Sequence, residues 1–236
     1  VKRLSLELGG HAPFIVLDDA NLDAAVEGVV ASAFRNAGQT CICTNRIYVQ
    51  AGIHDAFVDK FATAVKALKV GNGIDETVQI GPVINQASLE KVAHHVKDAL
   101  SKGASLVTGG APLADAKGNF YAPTVLCNVT PEMVVMHEET FGPVAPIQKV
   151  ETVEEAVAFA NDTQYGLAAY VYTESVSAGT KLIEQLNYGI VGWNDGVPTA
   201  VQAPFGGMKE SGIGREGGRQ GIEDYLETQF VSIGVN

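Results

Sequence analysis

The chain has 236 residues, 46% of them hydrophobic and 18% charged, with a formal net charge of −11 at pH 7. That balance supports a real core in one large domain or two small ones, and it disfavours nucleic acid or an anionic membrane surface as a partner. Three cysteines, an odd number for a chain of this length, argue against a disulfide framework and for a reducing compartment, taken here as the cytoplasm. No apolar run is long enough to cross a bilayer, and the opening VKRLSLELGG lacks the apolar stretch and cleavage site of a secretory signal.

Taken in order, Leu4, Leu6 and Leu8 alternate with Ser5 and Glu7 as in a strand that Gly9 and Gly10 end. A chain that starts at Val1 and enters a strand at once is expected to be cut from a longer one. Leu22, Ala25, Val26, Val29, Val30, Ala33 and Phe34 repeat at the spacing of one buried helical face, with Asp18 or Asp19 as the start cap and Gly38 as the stop. Beyond Gly38 the chain delivers Cys41 into a loop just before a strand around Ile47, Tyr48 and Val49. Ile53, Phe57, Phe61, Val65 and Leu68 mark a second helix closed by Gly71-Asn72-Gly73, and Leu89, Val92, Ala93, Val96, Ala99 and Leu100 mark a third ending at Gly103.

Strand-like SLVTGG follows, then a loop rich in Gly, Pro, Ala and Asp to about residue 120, then PTVLCNV. In HEETFGPVAPIQKV, Pro143 and Pro146 exclude a helix interior, and Gly142 is expected to supply a sharp turn. Thr152 and Glu155 form a capping box for a helix through Asn161, Ser175 opens another, and LAAYVY and YGIVGWN are strands with Trp193 in the core. Helices and strands alternating at this rhythm imply an α/β sheet built from crossover units.

Three positions stand out chemically. Cys41 sits where one rigid element hands over to another, the usual mounting for a nucleophile. Glu7 lies at a strand end between leucines, where partial desolvation would raise its pKa toward the range of a base. His94 and His95 are read as surface or satisfied core residues, since their spacing to other ligand-type residues marks no metal site. Gly212, Gly214 and Gly217 fit the spacing of a dinucleotide fingerprint, but no apolar strand runs into Gly212, so they are read as turn and close-packing positions.

Three strings in order, LELGG near residue 7, GQTC after a helix ending FRNA, and EETFGPV near residue 140, resemble the aldehyde dehydrogenase superfamily. The resemblance covers nearly the whole chain and corresponds to roughly the second half of such an enzyme. It implies an α/β catalytic domain with a mostly parallel sheet flanked by helices, plus a C-terminal oligomerisation strand. Residues 1–8 would end a cofactor-binding domain whose remainder lies outside the chain, 9–205 would be the catalytic domain, and 206–236 a C-terminal return and oligomerisation segment.

By the same resemblance Cys41 is the nucleophile and Glu7 the general base that activates water. Glu139 binds the nicotinamide ribose, Phe141 contacts the nicotinamide of NAD or NADP, and Phe205 of PFGG lines the aldehyde channel. FRNAGQTCICTNR and SGIGREGG look most like succinate-semialdehyde dehydrogenases, in which an arginine placed as Arg35 is placed binds the distal carboxylate; the planar guanidinium suits it. A cation at a helix C-terminus is the rival account of Arg35. A serine before PFGG is replaced here by Thr199, which leaves glutarate semialdehyde or another short acidic semialdehyde open. Cys43 is a candidate redox partner of Cys41.

The expected reaction is oxidation of an aldehyde through a thiohemiacetal and a thioester on Cys41, with the oxyanion held by the Cys41 amide and a side-chain amide from outside the chain. The apolar tail LETQFVSIG is expected to pair across a subunit interface in a homodimer or homotetramer. Two rivals are a cysteine hydrolase, for which no histidine sits in a suitable string, and a non-catalytic piece that only folds and oligomerises.

Overall fold

The computed structural model describes residues 1–114 and 117–235. Among them seven strands form one sheet in the order β4-β5-β6-β3-β2-β7-β8, where β2 is Ala12–Val16, β3 Thr44–Gln50, β4 Ser105–Thr108, β5 Thr124–Cys127, β6 Val144–Val150, β7 Ala168–Tyr172 and β8 Ile190–Trp193. Every pairing is parallel except β4 with β5, at one edge. The mostly parallel α/β architecture expected from the alternation of elements is therefore present.

A sheet of this kind is covered on both faces, and side chains leave each strand alternately. Phe14, Val16, Ile47, Val49, Ala145, Ile147, Tyr170 and Tyr172 point to one side, where they meet α1 (Leu22–Phe34) and α2 (His54–Lys66). Ile15, Tyr48, Val144, Ala169 and Val171 point to the other, against α3 (Gln86–Ser101), α4 (Val153–Asn161) and α5 (Val176–Gln185). The apolar faces read from the sequence are those the helices bury: Ala25, Val26, Val29, Ala33 and Phe34 on α1, and Val92, Val96 and Ala99 on α3.

Several local expectations are corrected. The cap of α1 is Asn21, whose side chain accepts from the Ala24 amide at 3.1 Å. Asp19 is drawn away, accepting from the Thr173 hydroxyl at 2.7 Å and the Ser175 amide at 2.9 Å. α1 also stops at Phe34, four residues before Gly38: a short 3-10 turn follows in which Asn36 and Ala37 adopt left-handed φ values of 49° and 56°. The strand through the leucines shrinks to β1, Leu6–Glu7, which pairs with β9, Gly212–Ile213, in a separate antiparallel ribbon.

Leu4, Leu6 and Leu8 are exposed, so they form no shield around Glu7. Trp193 is half-buried at the sheet edge, its ring N–H donating to the Thr173 carbonyl. The caps at Thr152 and Ser175 form as expected. The loop from Gly109 to about residue 120 includes residues 115–116, which lie outside the described residues. The tail from Leu226 to Val235 is not a strand; Phe230, Val231, Ile233 and Val235 stand exposed.

Candidate active site

The strands β6, β3 and β2 are adjacent and parallel, so their amino ends lie at one edge of the sheet. Gly9 and Gly10 lead into β2, Cys41 to Cys43 into β3, and Glu139 to Pro143 into β6. Topology alone thus gathers three strings, the second 31 residues after the first (Gly10 to Cys41) and the third 98 after the second (Cys41 to Glu139). Open α/β sheets usually bind ligands at the carboxyl ends of the strands. Here the chemistry-bearing residues collect at the opposite edge.

Close backbone approach fixes the meeting point. A Cβ on Gly10 would collide with the Cys41 carbonyl oxygen, and a Cβ on Gly9 would crowd Oε2 of Glu139. The Gly10 amide donates to Oε1 of Glu139 at 3.0 Å. Glu139 is half-buried, and burial pushes its carboxyl pKa up, opposed by the Gly10 amide and the Lys91 charge. Lys91 on α3 donates to the Glu139 carbonyl at 2.6 Å.

Phe141 has a left-handed φ of 54° and an exposed ring, a strained arrangement of the kind that clusters at ligand sites. The turn expected of Gly142 is therefore made by its neighbour. Gly142 has no positive φ, and its bare Cα instead seats Val92.

Cys41 is half-buried in a turn closed by the Cys43 amide donating to the Thr40 carbonyl. Burial pushes its thiol up to about 12, and the nearby carboxylates of Glu7 and Glu139 add to this. Glu7 is itself exposed in this chain. The sulfur of Cys43 is buried, against the Thr40 hydroxyl at 3.0 Å and the Arg35 carbonyl at 3.5 Å. Arg35 is exposed at the end of α1.

Thr199 and Phe205 line a separate cavity of about 280 Å3 with Ile190, Val201 and Glu216, and Phe205 pairs through its backbone with Glu216. Neither Cys41 nor Arg35 is among the residues lining it. The structure thus brings Cys41, Glu7, Glu139 and Phe141 to one edge, and it leaves Thr199 in a neighbouring hollow.

Four residues that sequence reasoning passed over hold this edge together. Tyr170 donates to the Ile42 carbonyl at 2.7 Å. Ser211, fully buried, donates to the Gly9 carbonyl at 2.7 Å and accepts from the Gly166 amide at 2.9 Å. Arg46 is 1% exposed; its guanidinium reaches the carbonyls of His11, Phe159 and Ala160 and the hydroxyls of Tyr48 and Tyr188. Asn45 bridges Cys43 and Thr140. For Asn45 and Arg46 the available signal was a polar pair entering an otherwise apolar strand.

Of the glycines of the false fingerprint, Gly212 lies in β9 and its bare Cα lets the Leu6 carbonyl approach, while Gly214 and Gly217 have left-handed φ of 84° and 62°. Among the described residues no helix is long and apolar enough to cross a membrane, and no cluster of ligand-type side chains is placed to hold a metal ion.

The family whose sequence pattern matches residues 1–231 is the aldehyde dehydrogenase family, and the chain belongs to it. It is 55% identical to the mitochondrial succinate-semialdehyde dehydrogenase of Rattus norvegicus over 235 residues, 99% of this chain and 45% of that protein. Identity to the glutarate-semialdehyde dehydrogenase of Pseudomonas aeruginosa is 51%, over 99% of this chain and 48% of the relative. A crystal structure described as an E. coli NADP dependent enzyme superposes with a TM-score of 0.97 at 52% identity, covering 99% of this chain and 48% of that one. The chain spans about half the length of the relatives it matches.

Proposed function

We propose that this chain is the catalytic part of an NAD- or NADP-dependent aldehyde dehydrogenase that oxidises a short acidic semialdehyde, succinate semialdehyde first and glutarate semialdehyde second. The observation that carries the reading is the meeting of three strand entries at one edge, where Gly10 abuts the Cys41 carbonyl and donates to Glu139, with the Glu7 carboxylate near enough to raise the Cys41 thiol. A thiol pushed up to about 12 is protonated at neutral pH, so the thiolate has to be made as the sulfur attacks. Glu7 is the acceptor beside it. It passes that proton on to water and then takes a second one from the water that hydrolyses the thioester.

The nicotinamide end of the cofactor fits the residues present. Gly9 leaves Oε2 of Glu139 uncrowded for a ribose hydroxyl, and the exposed ring of Phe141 offers a flat apolar face. When bound, the cofactor supplies the hydride acceptor. The Cys41 amide would stabilise the oxyanion, with a side-chain amide from the part of the enzyme outside this chain.

Arg35 is proposed to meet the distal carboxylate of the substrate, with Thr199 and Phe205 shaping the approach. Both relatives named above are described as acting on semialdehydes that carry such a carboxylate. Residues 1–8 are assigned to the cofactor half, 9–205 to the catalytic domain and 206–236 to the return segment. The exposed apolar tail supports a homodimer or homotetramer, and the free cysteines support a reducing compartment such as the cytoplasm.

The test compares reduction of NAD and of NADP by the full-length enzyme with succinate semialdehyde, glutarate semialdehyde and butanal. The acidic substrates should be favoured, and Arg35→Ala should erase on the order of a hundredfold of that preference. Equal efficiency with butanal would remove Arg35 from the substrate site. Absence of aldehyde-dependent reduction with either cofactor would leave the chain as a folding and oligomerisation unit.

A further inference from the structure

The Cys41 turn and the Glu139 to Phe141 loop belong to different strand entries, and each carries strain or close packing that must be held. The second loop is secured by three contacts, two from α3 and one from the entry to β2. Lys91 holds the Glu139 carbonyl, Gly10 holds its carboxylate, and His95, buried on α3, holds the Thr140 hydroxyl at 3.1 Å. None of these contacts comes from the strand that carries the cysteine. Asn45 supplies that link.

Its Nδ2 donates to the Cys43 carbonyl at 2.8 Å, and its Oδ1 accepts from the Thr140 amide at 2.8 Å. The two partners, one acceptor and one donor, determine which end of the carboxamide is which. Asn45 is 4% exposed and Thr140 2%, so water does not readily replace either bond. Of the ordinary side chains of this length, only a neutral amide satisfies a carbonyl and an N–H at once.

We propose that Asn45 is a positioning residue that sets the spacing between the nucleophile turn and the nicotinamide-facing loop. The bond to Thr140 holds the residue between Glu139 and Phe141 and so opposes relaxation of the left-handed backbone at Phe141. The bond to Cys43 fixes the backbone two residues after Cys41. The clip therefore connects the two reacting partners without touching either. The inference rests on the proposed function in taking Glu139 and Phe141 as the contacts of the nicotinamide end.

The experiment uses the full-length enzyme with Asn45→Ala. Calorimetric titration should give NAD(P) binding weakened about tenfold, with ADP-ribose or its 2′-phosphate, which lack the nicotinamide, bound within about twofold of the parent. In the cofactor-free protein the Thr140 amide should exchange with deuterium at least about tenfold faster in the variant, while the amides of β3 keep their protection. Equal weakening of both ligands, or unchanged exchange at Thr140, would overturn the proposal. Should the variant fail to fold, the parent decides: its Thr140 amide, outside any regular element, must be strongly protected, and exchange at the rate of an open loop would overturn it. A parent that binds no dinucleotide would sink the function but leave the exchange measurement free to judge the clip.

Discussion

Two regions of this molecule use strand pairing and apolar side chains in opposite ways. At the amino edge of β2, β3 and β6, glycines let backbones touch, strained residues are clipped by buried side chains, and the polar groups of Asn45, Arg46 and Ser211 are bonded inside the protein. In the β1–β9 ribbon and the tail beyond it, strands are two residues long, the leucines face solvent, and Phe230 and Ile233 have no apolar cover in this chain. The contrast teaches that local patterning does not decide which apolar run becomes core. A neighbouring surface does, and the sheet edge has one from every adjoining strand.

The largest expected effect breaks chemistry and spares structure. Cys41→Ser in the full-length enzyme should lower kcat on the order of a thousandfold or more. Because the residue is half-buried and nearly isosteric with serine, unfolding free energy should change by less than about 1 kcal/mol. Full activity would remove Cys41 as the nucleophile. Arg46→Met is the converse. It leaves the His11 carbonyl without its guanidinium partner and strips a cation from the last turn of α4, where Phe159 and Ala160 present their carbonyls. A loss of about 3 kcal/mol, or roughly 10 °C in Tm by calorimetry, is expected. A shift of a degree or two would mean that the network is not holding the edge.

Much of this was legible. Helix faces follow from period and strands from alternation, and the residues of LELGG, GQTC and EETFGPV do meet, although nothing in any one string says so. What failed did so for tertiary reasons. Asp19 is a good cap by type but is captured by Thr173 and Ser175, leaving Asn21 to cap α1. The leucine alternation was a fair strand signal, yet only Leu6 and Glu7 find a partner strand. The turn assigned to Gly142 falls on Phe141, while Gly142 serves instead as the bare position against Val92. Asn45 and Arg46 stood out only as polar residues entering an apolar strand; the distant partners that give them their role, Thr140 for one and Phe159, Ala160 and Tyr188 for the other, are set by the fold and not by spacing.

A smaller effect sharpens the electrostatic side of the edge. With the thiol pushed up to about 12, the thiolate fraction rises with pH throughout the neutral and mildly alkaline range. Alkylation of cofactor-free Cys41 by iodoacetamide should therefore accelerate about tenfold per pH unit between pH 7 and 9 without a plateau. Glu7→Gln removes a charge that raises the thiol pKa, so the variant should alkylate several-fold faster at a given pH even as aldehyde oxidation falls. A plateau below pH 9, or slower alkylation in the variant, would mean that the carboxylate does not act on this sulfur.

The smallest expected effect probes the open region and is the most direct test of the contrast. Phe230 is 89% exposed, so within this chain its ring buries little area and Phe230→Ser should change the stability of this chain on its own by less than about 0.5 kcal/mol. If the tail is instead the strand of a subunit contact, the ring is covered only in the assembly. The same substitution should then raise the dissociation constant of the oligomer, on the order of tenfold by sedimentation, for the loss of one buried aromatic side chain. Subunit stability and association would thus respond separately to one residue. A variant whose subunit unfolds several degrees earlier at unchanged association would show that the tail packs on its own chain, and the division between a clipped edge and an uncovered periphery would fall.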